Sequence, residues 1–233
     1  MAMRITVLGT DYEGLTISVG LATLGHQVTT VDTDHHKIRK LQRGIQIEED
    51  ETLSRQLKVE LREGMLKFST EPESCLGETD VVIIAGAPGE RRAVLKTAEC
   101  LSGAIASYST VLVTARTPVG SCRMLQDWLD DAMFTAAVNV VTFPVFFNAP
   151  LGLQGFLHPG RIVLGYEKEQ PRRVMDELFA NLLLNEISIS HVSWEAAEMM
   201  RALDGPVSTA VPDENTIVDT VEPAERVYSN ING

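Results

Sequence analysis

The residues best suited to chemistry lie in one turn near the N-terminus, Gly9-Thr10-Asp11-Tyr12-Glu13-Gly14. Its ends match the G-x-G-x-x-G pattern of a dinucleotide-binding turn, and Asp11 stands where the middle glycine belongs. In such a turn the first glycine permits the tight bend, the second lets backbone approach a pyrophosphate, and the third lets helix pack closely on strand. Gly9 and Gly14 therefore keep the structural roles, while Asp11 takes the ligand-facing one, with Tyr12 beside it. A carboxylate about 4 Å from a phosphate charge costs about 1 kcal/mol in water and up to about 4 kcal/mol at an effective dielectric near 20. That weakens binding by about tenfold to several hundredfold. The alternative reading is that Asp11 caps the following helix, taking its free amides in place of a phosphate.

Asp32 follows Gly9 by 23 residues and ends a strand-like run. The pattern expects an acid there, accepting hydrogen bonds from the adenosine ribose hydroxyls and repelling the 2′-phosphate that separates NADP from NAD. NAD is thus the expected cofactor, bound weakly or lost because of Asp11. A lone Asp at a strand end is also a common helix cap. Lys37 either helps hold the same end of the cofactor or is solvent-exposed. No metal site is expected: His35 and His36 are adjacent and point apart on a helix, and no H-E-x-x-H spacing occurs. Cys75, Cys100 and Cys122 show no CxxC spacing and read as thiols filling the core, not as a disulfide frame.

The elements that must position these residues alternate. Arg4 to Leu8 is a short β-branched run, apolar residues recur at helical spacing from Leu15 to Leu24, and Val28 to Val31 gives a second strand. Further strands are expected at Leu66 to Ser69, Asp80 to Ala85, Thr110 to Thr114, Val138 to Thr142, Arg161 to Gly165 and Glu186 to His191, with helices between most of them. This order predicts an α/β fold: a doubly wound, mostly parallel Rossmann-type sheet with helices on both faces. Residues 44 to 64 read as a charged helix whose acidic patch, Glu48 to Glu51, is a solvated face. A last helix opens at Ser193 as N-cap, with Glu195 and Glu198 suited to its own positive end, and cannot pass Asp204-Gly205-Pro206.

The domain organisation expected is a dinucleotide-binding domain over residues 1–192, the start of a linking helix over 193–205, and an acidic flexible tail over 206–233. Twenty Lys and Arg stand against 32 Asp and Glu, a formal charge of −12. That balance argues against nucleic acid as a partner, since binding a phosphate polymer draws on displaced counterions. No apolar run approaches the ~20 residues of a membrane span. The N-terminus enters a strand without the apolar core of a secretory signal, so a cytoplasmic location is expected.

Five ordered landmarks extend the turn. They are Ile5-Thr6-Val7-Leu8-Gly9-Thr10-Asp11-Tyr12-Glu13-Gly14-Leu15; Val31-Asp32 followed by Lys37-Ile38; Thr117-Pro118-Val119-Gly120; Phe156-Leu157-His158-Pro159-Gly160-Arg161-Ile162-Val163-Leu164-Gly165; and Ala197-Glu198-Met199-Met200-Arg201. The order resembles the N-terminal domain of the UDP-glucose and GDP-mannose dehydrogenases, with their G-T-G-Y-V-G-L turn, V-D-x-D-x-x-K-I continuation, S-T-V-P-V-G segment, F-L-x-P-D-R-I-V-I-G segment and A-E-M-I-K helix. The resemblance spans about residues 3 to 205.

It implies NAD-dependent oxidation of a nucleotide-sugar alcohol to a carboxylate, through a thiohemiacetal on a cysteine assisted by a Glu, a Lys and an Asn. The departures fall on those groups. The cysteine belongs to a C-terminal sugar-nucleotide domain that is not expected within these 233 residues. Val145 occupies the family Glu position, where an apolar side chain cannot exchange protons. Arg201 stands at the Lys position, charged yet never deprotonated, and Gly205 at the Asn position. Ala87 replaces a Thr in the loop after the fourth strand, and the segment Ala115-Arg116-Thr117 is one residue short, leaving Thr117 as its cofactor contact. The resulting expectation is a degenerate NAD-binding-domain protein, not catalytic alone, with an interaction or regulatory role toward a nucleotide-sugar substrate or a partner protein. The alternative is an NAD-dependent nucleotide-sugar oxidoreductase whose substrate half comes from a partner chain. A homodimer through the last helix is a third possibility, resting on Trp194, Met199, Met200 and Leu203, although such a stripe also fits core packing.

Overall fold

The computed structural model describes residues 1–45, 50–85, 91–133, 137–144, 152–184 and 187–202, with the backbone alone at 91–95, 98 and 202. In chain order the first half runs β1 (Arg4–Leu8), α1 (Tyr12–Thr23), β2 (Gln27–Val31), α2 (His35–Gln42), α3 (Glu51–Glu63), β3 (Leu66–Ser69), α4 (Pro72–Leu76), β4 (Val81–Ile84) and α5 (Arg91–Ser102). The second half runs β5 (Thr110–Val113), α6 (Ser121–Ala132), β6 (Asn139–Thr142), α7 (Gly152–Leu157), β7 (Ile162–Gly165), α8 (Gln170–Leu178), α9 (Ala180–Leu183), β8 (Ile189–Val192) and α10 (Trp194–Ala202).

The strands form one eight-stranded sheet in the order β3-β2-β1-β4-β5-β6-β7-β8. The first six run parallel, β7 meets β6 antiparallel at Thr142 and Gly165, and β8 runs parallel to β7. This is the expected doubly wound, mostly parallel sheet. Winding outward from β1 to β2 and β3, then back to β4, puts the reversal between β1 and β4. Ligands of such sheets bind beyond the carboxyl ends of the strands at that reversal.

Alternation along each strand splits the core between the two faces. Ile5, Val7, Val81 and Ile83 pack with Leu15, Val19, Leu53, Leu57 and Phe156 on one side. Val82, Ile84, Val111 and Val113 pack with Leu101, Leu125 and Leu129 on the other. A strand buried on both sides reads as a continuous apolar run, and Val81–Ile84 does. Three helices on the β1 side start on an aspartate: the side chains of Asp11, Asp34 and Asp50 each accept backbone N–H bonds in the first turn of α1, α2 and α3. Met1–Leu203, α10 included, make one compact unit.

Several expectations shift. The stretch read as one charged helix over 44–64 holds α3 only from Glu51. Within the patch read as solvated, Asp50 caps α3 and accepts the Tyr12 hydroxyl at 2.8 Å. Ser193 does serve as N-cap for α10, its Oγ taking the Ala196 N–H at 3.2 Å. Glu195 pairs with Arg123 at 2.8 Å, and Glu198 faces a different helix. Trp194 is core, its indole N–H donating to the Val140 carbonyl at 2.9 Å, while Met199 and Met200 are half-buried. Leu203 and the proposed tail at 206–233 lie outside the described residues.

Candidate dinucleotide site at the first turn

Gly9 has φ +114°, and a Cβ there would lie 2.5 Å from the Ala85 carbonyl oxygen at the end of β4. Gly14 sits so close that its Cβ would lie 2.4 Å from the Gly9 carbonyl oxygen. Both positions therefore demand glycine, one for the bend and one for the close approach of helix to turn. Asp11 between them has φ −68° and ψ −180°, an extended conformation open to any residue. Replacing the middle glycine leaves the backbone unstrained, so its cost falls on whatever approaches the turn. The Asp11 carboxylate takes the Gly14 N–H at 2.8 Å. It is the helix cap, placed at the positive end of α1 where a phosphate would otherwise gain from the same field.

Asp32 does not cap a helix. Asp34 does, accepting the His36 and Lys37 N–H groups at 2.8 and 3.0 Å, and those bonds hold its carboxyl below the ordinary range. Asp32 instead accepts the Thr10 hydroxyl through Oδ2 and the Asp34 N–H at 3.0 Å through Oδ1. Lys37 Nζ stands 3.9 Å from Asp32 Oδ2 with its side chain half-buried, so it faces Asp32 and not open solvent. The result is a fixed carboxylate at the end of β2, close to the bend of β1, with residual acceptor capacity. Tyr12 points its hydroxyl at Asp50. Thr117 lines a narrow, mostly apolar cleft with Ile84, Thr97, Val113, Ala115, Ser121, Cys122 and Leu125.

Arg201 reaches from α10 to the first turn of α1 and forms an ion pair with Glu13, both side chains largely buried. Burial pushes the Glu13 carboxyl up; the Arg201 guanidinium and the Thr114 hydroxyl pull it back, and the Asp11 charge adds to the rise. One turn earlier on α10, Glu198 is 2% exposed and accepts the Gly120 N–H at 2.6 Å and the Cys122 N–H at 2.8 Å. Gly120, at φ +87°, gives α6 no side-chain cap of its own, so the cap comes from α10. Its own burial, and after it the charge of that nearby carboxylate, push the Cys122 thiol well above its usual range, which suits a packed thiol and not a nucleophile. Val145, Ala87 and Gly205 lie outside the described residues. No cluster of His, Cys, Asp or Glu among the described residues is arranged to hold a metal.

Thr10, Glu13 and Glu198 carry no sequence signal that marks them as site residues. Thr10 and Glu13 occupy free positions of the fingerprint, and their partners lie 22 and 188 residues away, so periodicity carries no signal of either pairing. Against NAD, the two ends of the site differ. The ribose end fits, since Asp32 is oriented and glycine stands where the bend requires it. At the diphosphate end the Asp11 carboxylate occupies the Gly14 amide, and Glu13, two residues further on, is paired with Arg201.

Residues 3–183 match the family model described as UDP-glucose/GDP-mannose dehydrogenase family, NAD binding domain. The UDP-glucose 6-dehydrogenase YwqF of Bacillus subtilis is 30% identical over 207 residues, covering 85% of this chain and 46% of that protein. The UDP-glucose 6-dehydrogenase of Rhizobium meliloti is 27% identical over 209 residues, 85% of this chain and 48% of its own length. Among solved structures, a GDP-mannose dehydrogenase ternary complex from Pseudomonas aeruginosa superposes with a TM-score of 0.78 at 22% identity, over 86% of this chain and 49% of that one. A UDP-glucose dehydrogenase from Pyrobaculum islandicum gives 0.77 at 22% identity, over 87% and 49%. The chain spans about half the length of these relatives.

Proposed function

The chain belongs to the UDP-glucose/GDP-mannose dehydrogenase family, matching its NAD-binding domain, and on that premise we propose that it is a cytoplasmic dinucleotide-binding domain with a weakened or lost hold on NAD. It does not catalyse alone and serves as an interaction or regulatory module beside a nucleotide-sugar-oxidising protein. One observation carries this reading: the Asp11 carboxylate sits on the Gly14 amide, at the helix end that would receive the diphosphate. Two sequence positions support it. Val145 offers no proton exchange at the family Glu position, and Arg201 at the Lys position stays charged while bound to Glu13.

Incubation with NAD and UDP-glucose, followed through nicotinamide absorbance, is expected to give no turnover with the purified chain. Measurable turnover contradicts the reading. The oriented Asp32, with Thr10 and Lys37 around it, favours a second reading: an oxidoreductase whose sugar-nucleotide half is supplied by a partner chain. Turnover appearing only on addition of a polypeptide that carries a nucleotide-sugar-binding domain with a cysteine selects that second reading. A homodimer through α10 is tested by light scattering on the purified chain.

A further inference from the structure

We infer that Glu198 and Arg201, three residues apart on α10, are positioning residues that tie two cofactor-facing loops to one helix. The first loop is the Gly9–Gly14 turn, the second the Thr117–Gly120 segment that leads into α6. The inference rests on the reading of the first turn as the dinucleotide site and adds what sets its geometry.

Both ties end on the N-terminus of a helix that is not α10. Glu198 accepts two backbone N–H groups at the start of α6, at 2.6 Å from Gly120 and 2.8 Å from Cys122. Without it the Cys122 amide is a buried donor and the Gly120 amide a part-buried one, each left without this acceptor. Arg201 binds Glu13 in the first turn of α1, with side-chain exposures of 11% and 21%. Residues three apart on a helix lie on one side of it, so both ties leave α10 in the same direction. Between the two anchored turns stand the ends of β4 and β5. The Thr114 N–H and the Ala115 N–H both bond the Ile84 carbonyl, at 3.0 and 3.1 Å, and Thr114 is also the hydroxyl neighbour of Glu13. The two loops are therefore braced against a shared strand end on one side and α10 on the other.

A tie of this kind differs from two local caps in one respect: releasing one end loosens the other. Amide hydrogen exchange on the chain without NAD reads this directly, comparing wild type with Glu198→Gln and Arg201→Met. Glu198→Gln is expected to speed exchange at Gly120 and Cys122, and also at Tyr12, Glu13 and Gly14, by at least about tenfold. Arg201→Met is expected to do the reverse, speeding Gly120 and Cys122 although it touches neither. If each variant speeds only the loop it contacts, the two residues are local caps and the inference is overturned. Should Glu198→Gln fail to fold, Arg201→Met decides the matter alone. In parallel, calorimetry of Asp11→Gly with NAD tests the reading on which the inference rests. Absence of heat with this variant counts against the first turn as a dinucleotide site, while the exchange result still upholds or overturns the coupling.

Discussion

Glu13 and Arg201 set the charge of the turn. Removing the cation leaves a largely buried carboxylate without its partner, so Arg201→Met should lose about 3 kcal/mol, the low end for breaking a buried pair, since both groups keep some solvent contact. The pH dependence has a definite sign. Glu13 titrates above its ordinary value of 4.5, so the folded chain holds that proton to higher pH than the unfolded one. Stability from this group is present below about pH 4.5 and falls as pH rises through the folded value. Without Arg201 that value climbs further, so the variant should lose more stability at pH 7 than at pH 4.5 in urea titrations. Equal losses at both pH values contradict the assignment. At this scale the sequence was legible where one residue type carries one role. Gly9 and Gly14 are read from spacing alone, and Asp11 is visible as an acid in the wrong slot with a capping alternative that the structure bears out. The Glu13–Arg201 pair was not legible, because an ion pair between distant residues leaves no periodicity.

Elements meet through buried polar joints as well as apolar faces. His26, in the turn between α1 and β2, accepts the Met3 N–H at 3.2 Å on Nδ1, which leaves Nε2 to donate to the Leu178 carbonyl at 2.9 Å. Only the neutral ring makes both bonds, and burial lowers its pKa below 6.5. Above pH 6.5 the ring is neutral in both states; below it the unfolded chain takes up the proton first, so stability falls as pH drops toward the folded value. His26→Gln should be less stable than wild type at pH 8, with a shallower decline on going to pH 5.5 in thermal melts. Parallel curves contradict this account. The strands were legible because apolar runs of four or five residues bounded by turn residues have few other fates, and all eight appear at or within a few residues of the expected places. The reversed direction of β7 was not legible, since strand patterns carry no sign. Proximity in sequence places Glu198 at its own helix end, whereas the structure gives it to α6, whose N-cap glycine has no side chain to offer.

At the level of the molecule, an intact sheet reversal is combined with an aspartate in the middle-glycine slot of the first turn. The reversal between β1 and β4, the glycine bend and the oriented Asp32 are what a dinucleotide-binding fold requires. Asp11 is a departure that the fold tolerates, its backbone being extended and open to any residue, because framework and site are separable. Ligand binding and stability are linked, so a weak ligand raises the melting temperature only when its concentration greatly exceeds its dissociation constant. The net charge of −12 adds an unfavourable general field for an anionic cofactor. The most direct test is a calorimetric titration of the wild type and Asp11→Gly with NAD, run side by side at one salt concentration. Removing the carboxylate costs the helix only a few tenths of a kcal/mol when glycine replaces the cap, and it takes a repulsion of about 1–4 kcal/mol away from the diphosphate. The account predicts that Asp11→Gly binds NAD at least about tenfold more tightly than the wild type; equal affinities in the two proteins would contradict it.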